Sequence, residues 1–93
     1  MTKADIVAQI AQQTGVNRTA VQTIVEAFME NIKDSMAAGN DVFLRGFGSF
    51  VVKQRARKVA RNISKNTSIE IPAHSVPAFR PAKEFMNMVK EGR

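Results

Sequence analysis

Apolar residues Ile6, Val7, Ile10 and Ala11 recur at helical spacing directly after Thr2-Lys3-Ala4-Asp5. That tetrapeptide has the form of a capping box, with Thr2 as N-cap and the Asp5 side chain reaching back to the first amides. Gly15 ends the pattern where a left-handed residue is wanted, which predicts a first helix of about three turns. Asn17 suits the N-cap of a second helix. Its apolar stripe is Ala20, Val21, Ile24, Val25, Phe28, Met29, Ile32 and Met36, and it holds through to Gly39. Gln22, Glu26, Glu30, Lys33 and Asp34 occupy the other face. Two amphipathic helices with so short a connection predict an αα-hairpin. Neither is long enough to stand alone, so each needs its apolar face covered.

After Gly39-Asn40-Asp41 the period changes. Val42-Phe43-Leu44 and Phe47-Gly48-Ser49-Phe50-Val51-Val52 are β-branched and aromatic, interrupted by Arg45-Gly46 as a tight hairpin or bulge. From Lys53 the extended run becomes polar, with Lys53, Arg55 and Arg57 alternating with Gln54, Ala56 and Lys58. Residues 64–66 look like a turn and Thr67-Ser68-Ile69-Glu70-Ile71 like a returning strand. Pro72 cannot donate to a central ladder, so one side of that strand is unpaired. Pro81 fits the first position of a last helix, whose apolar side is Ala82, Phe85, Met86 and Val89. The expected fold class is α+β: an N-terminal αα-hairpin, a three-stranded antiparallel sheet with a long protruding β-arm, and a C-terminal helix.

Charge sharpens this picture. The chain has 14 Lys and Arg against 8 Asp and Glu, a formal net charge of +6. Between Val42 and Ile69 stand Arg45, Lys53, Arg55, Arg57, Lys58, Arg61 and Lys65, with no carboxylate among them. An uncompensated run of one sign repels itself unless a polyanion arrives, which points to nucleic acid rather than to a merely solvated face. Arginine forks spaced by two along a strand line one face of a ribbon and pair bidentately with phosphate. A two-stranded ribbon fits a DNA groove. Such contacts position the protein without specifying sequence.

The core argument asks for a second copy. With the arm set aside, a single core of this size supplies only about 3–5 kcal/mol. Yet the chain carries 6 Phe and 5 Met. Val25, Phe28, Met29, Ile32, Phe47, Phe50, Phe79 and Phe85 are therefore expected in the core or across a dimer axis.

Catalytic chemistry has little to work with. There is no Cys, hence neither disulfide nor thiolate metal site. His74, the one histidine, is far in sequence from any carboxylate pair and is read as a surface residue. Asp34 and Asp41 are read as solvated charges. Gly46-Phe47-Gly48 lacks the third glycine and following helix of a dinucleotide site. Phe47 and Phe50 are assigned to core packing in preference to base stacking, since Val42, Leu44 and Val51 surround them. No catalytic residue, metal site or cofactor is expected, and the chain is read as a non-enzyme. A single-strand or RNA-binding module would need aromatic platforms on the arm, where only Ile63 is found. A membrane-surface protein would need Lys and Arg on a helix face, but the charge lies on strands. Neither a signal peptide nor a long apolar span is seen, which places the chain in the cytoplasm.

Gly46-Phe47-Gly48-Ser49-Phe50, Ala60-Arg61-Asn62 and Val76-Pro77-Ala78-Phe79-Arg80-Pro81-Ala82-Lys83 resemble the bacterial histone-like HU and integration host factor family, over essentially the whole chain. The resemblance implies an intertwined dimer with a helical base (1–39), a sheet body (40–52 and 73–79), β-arms (53–72) and a C-terminal helix (80–93). It implies arms that wrap double-stranded DNA through the minor groove, bending and compacting it in the nucleoid, with a preference for bent, nicked or distorted duplex. Matched to the pattern, Lys53, Arg55, Lys58, Arg61, Asn62 and Lys65 meet backbone and groove, with Arg57 in the same run. The Gly46 and Gly48 amides, Lys3, Arg80 and Lys83 hold phosphates on the flank. Where the family usually has Arg-Asn-Pro, this chain has Arg61-Asn62-Ile63. Isoleucine is also an apolar wedge, so Ile63 is expected to insert between base pairs, without the fixed φ of proline. HU-type nonspecific binding and a sequence-specific integration host factor subunit stay open as alternatives, as do homodimer and heterodimer with a paralogous subunit.

Overall fold

A computed structural model describes residues 1–56, 58–62 and 67–92, and in 58–62 and 67–71 the backbone alone. The elements are α1 (Lys3–Thr14), α2 (Arg18–Ala37), β1 (Val42–Leu44), β2 (Gly48–Arg55), β3 (Lys58–Asn62), β4 (Thr67–Ile71), β5 (His74–Pro81) and α3 (Lys83–Glu91). They fall into two compact units, Met1–Ser35 and Met36–Arg93.

In the first unit the predicted caps are present. Thr2 donates its amide to Asp5 Oδ2 at 2.9 Å and its hydroxyl accepts from the Asp5 amide at 3.3 Å. Gly15 closes α1 at φ 73°, its N–H bonded to the Ala11 carbonyl. Asn17 Oδ1 accepts from the Thr19 amide at 2.8 Å, so the three-residue link between helices caps the second one. Val7 and Val21 are the buried side chains, 2% and 4% exposed. Bonds from the Thr2 backbone, then from its side chain, hold the Asp5 carboxyl below the usual carboxylate range. A carboxyl lowered by folding stabilises above its ordinary titration range and loses that effect as pH falls through it. The stability difference between the parent and Asp5→Ala is therefore present at pH 7 and closes on acidification, as urea melts followed by helical circular dichroism will read.

In the second unit two sheets form. One has the order β1-β2-β5, and β3 pairs with β4 in the other. All pairs are antiparallel. β1 and β2 join through a turn in which the Phe47 amide donates to the Leu44 carbonyl at 2.9 Å. Gly46, at the third position of that turn, has φ 82°, where an L side chain is strained. The α+β class expected from the sequence is the one found, and β4 spans the expected residues 67–71.

Three expectations need correction. Pro81 does not open the last helix: it closes β5, paired with Gly48, and α3 starts at Lys83 with Ala82 as N-cap. The ladder wins because the Ala82 amide is drawn to the Phe47 carbonyl at 2.9 Å, which keeps the chain extended. Asp41 is more than a solvated charge, since its Oδ1 accepts from the Val52 amide at 2.9 Å. The body sheet also runs further than the apolar pattern, with β2 and β5 in register as far as Arg55↔His74. Main-chain pairing needs no apolar side chain, so exposed Lys53 and Arg55 are tolerated in it.

Candidate nucleic-acid interface

Directly opposed residues in an antiparallel pair share a face, and alternate residues change face. The β2–β5 register therefore sorts the sheet into two surfaces. One carries the pairs Phe50↔Phe79, Val52↔Pro77 and Gln54↔Ser75. The other carries Ser49↔Arg80, Val51↔Ala78, Lys53↔Val76 and Arg55↔His74.

The first surface is aromatic. Phe50 and Phe79 have ring centroids 4.9 Å apart, and Phe47 lies 5.1 Å from Phe79 and 5.3 Å from Phe85, stacked on the latter. Phe47, Phe50, Phe79 and Phe85 thus form one cluster, with Phe85 supplied by α3; Phe50 and Phe85 are half-buried in it, while Phe47 and Phe79 stay 45% and 38% exposed. Gly48 makes the close approach possible. A Cβ there would stand 2.5 Å from the Arg80 carbonyl oxygen and 2.6 Å from the Phe79 ring.

The second surface buries Val51 at its middle and is basic toward its two ends. Lys53, Arg55 and Arg80 are all exposed on it, and none pairs with a carboxylate among the described residues. At its end, Arg45, Gly46, Gly48, Ser49, Arg80 and Pro81 help line a shallow hollow of about 240 Å³. Arg45 thereby joins the expected flank residues Gly46, Gly48 and Arg80. Lys83, exposed, opens α3 three residues after Arg80. Lys3 is engaged within the helical unit, its Nζ 3.0 Å from Glu26 Oε1. Lys3, then Gln22, bonds to Glu26 and holds that carboxyl below its usual range.

Beyond Arg55 the basic run enters the ribbon, where Lys58 pairs with Ile71, Arg61 with Ser68 and Asn62 with Thr67. Arg57, Ile63 and Lys65, with the predicted turn at 64–66, lie outside the described residues. Val25 and Ile32 are half-buried, whereas Phe28 is 49% and Met29 38% exposed, so the α2 stripe is incompletely covered within one chain. Sequence reasoning passed over Arg45 and His74 as site residues. The β2–β5 register brings in His74, whereas Arg45 sits in the β1–β2 turn and joins through the hollow it lines.

The family described as "Bacterial DNA-binding protein" matches residues 1–90. The chain belongs to this family. Among members of the bacterial DNA-binding family, DNA-binding protein HU of Thermus thermophilus is 37% identical over 91 residues, covering 98% of this chain and 94% of the relative. DNA-binding protein HU of Staphylococcus aureus is 38% identical over 90 residues, covering 97% and 100%. Among solved structures, the Anabaena HU–DNA cocrystal structure superposes with a TM-score of 0.90 at 35% identity, covering 96% of this chain and 97% of that one. HU from Thermotoga maritima superposes with a TM-score of 0.70 at 26% identity, covering 96% and 98%. Among the described residues no helix is long and apolar enough to cross a membrane.

Proposed function

We propose that this chain is an HU-type architectural protein that binds double-stranded DNA largely without regard to sequence, bends it and compacts it in the bacterial nucleoid. One observation carries the reading: exposed Lys53, Arg55 and Arg80 share one sheet face, and Lys58 and Arg61 stand on the ribbon that follows β2 in the chain. Its similarity to a protein crystallised with DNA supports the choice of ligand. The named relatives are HU proteins, which favours the nonspecific reading over an integration host factor subunit.

Two copies act together in this proposal. Exposed Ile24, Phe28 and Met29 on α2, and separately Met86 and Val89 on α3, are apolar positions that a second copy covers. Lys53, Arg55, Arg57, Lys58, Arg61, Asn62 and Lys65 track phosphates along the minor groove, while Lys3, Arg80, Lys83 and the Gly46 and Gly48 amides hold the flanks. Ile63 wedges between base pairs at the kink. The protein does no covalent chemistry in this role and works in the cytoplasm, where its DNA is.

The experiment is duplex binding by fluorescence anisotropy across a salt series, with the oligomer measured by sedimentation. If each arm neutralises about five phosphates, a dimer gives a log–log slope of about −9. A slope near zero, or a monomer at micromolar concentration, contradicts the proposal.

A further inference from the structure

We infer that His74 is a phosphate ligand at the root of the arm that engages only when its imidazole is protonated, so that DNA binding by this chain takes up protons. The inference rests on the DNA-binding reading above and deepens it.

His74 is the first residue of β5 and stands directly opposite Arg55. It therefore shares the basic face with Arg55, with Lys53 two residues back along β2, and with Arg80 six residues on along β5. The neighbouring pair confirms the alternation, because Gln54 donates to the Ser75 hydroxyl at 2.8 Å on the opposite face. The ring is exposed, and its Nδ1 lies 3.0 Å from the Pro72 carbonyl oxygen.

That contact fixes the chemistry of the ring. A carbonyl oxygen only accepts, so Nδ1 carries the hydrogen and Nε2 is the nitrogen left for a ligand. In neutral imidazole Nε2 is an acceptor, and a phosphate oxygen is an acceptor too. Nothing bonds. In imidazolium Nε2 donates, and the contact becomes a charge-assisted hydrogen bond of the same kind that Arg55 makes. DNA thus meets an arm root that offers one cation more per protomer with the proton than without it.

The surrounding charges agree in sign. From β2, Arg55 lies directly opposite His74 and Lys53 opposite Val76 two residues on, while Arg80 shares the face at the far end of β5. On the ribbon, Lys58 is paired with Ile71 and Glu70 with Val59, and Glu70 is the nearest carboxylate in sequence. An imidazolium opposite Arg55 is a like-charge pair across a ladder, which is unfavourable until a phosphate lies between them. Proton and DNA therefore assist each other, as linkage requires.

The chain has one His, so His74→Gln isolates the contribution of this ring. The measurement is duplex affinity of parent, His74→Gln and His74→Lys at pH 8 and pH 6, each at two salt concentrations. Lowering the pH should strengthen the parent up to about tenfold per protomer more than His74→Gln. His74→Lys should bind at pH 8 as the parent binds at pH 6. Equal pH dependence in parent and His74→Gln, with both still binding duplex in a salt-dependent way, overturns the inference alone. Loss of salt-dependent binding in every protein at both pH values overturns the DNA-binding reading and this inference with it.

Discussion

Changing Arg55, Lys58 and Arg61 together to Gln should lower duplex affinity at least about a hundredfold near ~0.1 M salt, and by a similar factor on every sequence. Arg55 ends β2 on the exposed basic face, and Lys58 and Arg61 hold pairing positions in β3. Each cation in contact with a phosphate adds about 0.9 to the steepness of the salt dependence. Three cations in each of two arms should move the slope from about −9 to about −4. Glutamine removes the charge and keeps a polar side chain, and the ladders are main-chain pairings that the change leaves in place, so the cost in stability should stay within about 0.5 kcal/mol. A salt titration by anisotropy, with a thermal melt of the same protein, reads both. Unchanged affinity would mean that the basic run is only a solvated surface.

The largest effect on the fold should come from a single methyl group. Gly48→Ala places a Cβ 2.5 Å from the Arg80 carbonyl oxygen and 2.6 Å from the Phe79 ring. Neither neighbour can give easily. The carbonyl belongs to the β2–β5 ladder, and Phe79 is held between Phe47 and Phe50 at 5.1 and 4.9 Å. Overpacking of this kind costs about 1–3 kcal/mol. For a domain this small, that corresponds to a fall in Tm of about 4–8 °C per kcal/mol. Gly46 is glycine for another reason, since a Cβ there would meet nothing within 4 Å but φ is 82°. Gly46→Asn should therefore be milder than Gly48→Ala, because Asn adopts the left-handed region more readily than other side chains. Calorimetric melts of the two variants separate close packing from backbone strain, and an undisturbed Gly48→Ala would contradict the packing described.

Local rules were legible in this chain because they act over three or four residues. Thr2 with Asp5, Gly15 and Asn17 announce the helix ends, and the same residues cap them in the structure. The polarity of 53–62 and the return at Thr67–Ile71 announce a ribbon, and its two strands pair. Features set by long-range pairing were not legible. Pro81 suits a helix start and a strand end equally, and its partner Gly48 lies across the whole arm. Asp41 gains its role from an amide eleven residues away. Likewise, period-2 counting puts Lys53 and Arg55 on one face, but only the register adds Arg80 and His74 to it. For Phe28 and Met29, the apolar stripe was clear while its cover was not, because one chain does not supply it.

The central claim is that the protein gains by bending DNA rather than merely coating it. The direct test is anisotropy binding to two matched short duplexes, one intact and one nicked at its centre, at two salt concentrations. Bending an intact duplex costs energy that a nick removes, so the account predicts tighter binding to the nicked duplex, with steep salt dependence on both. The preference should shrink in Ile63→Ala, whose smaller side chain wedges less. Equal affinity for nicked and intact duplex would contradict the account and leave a charge-driven coat in its place.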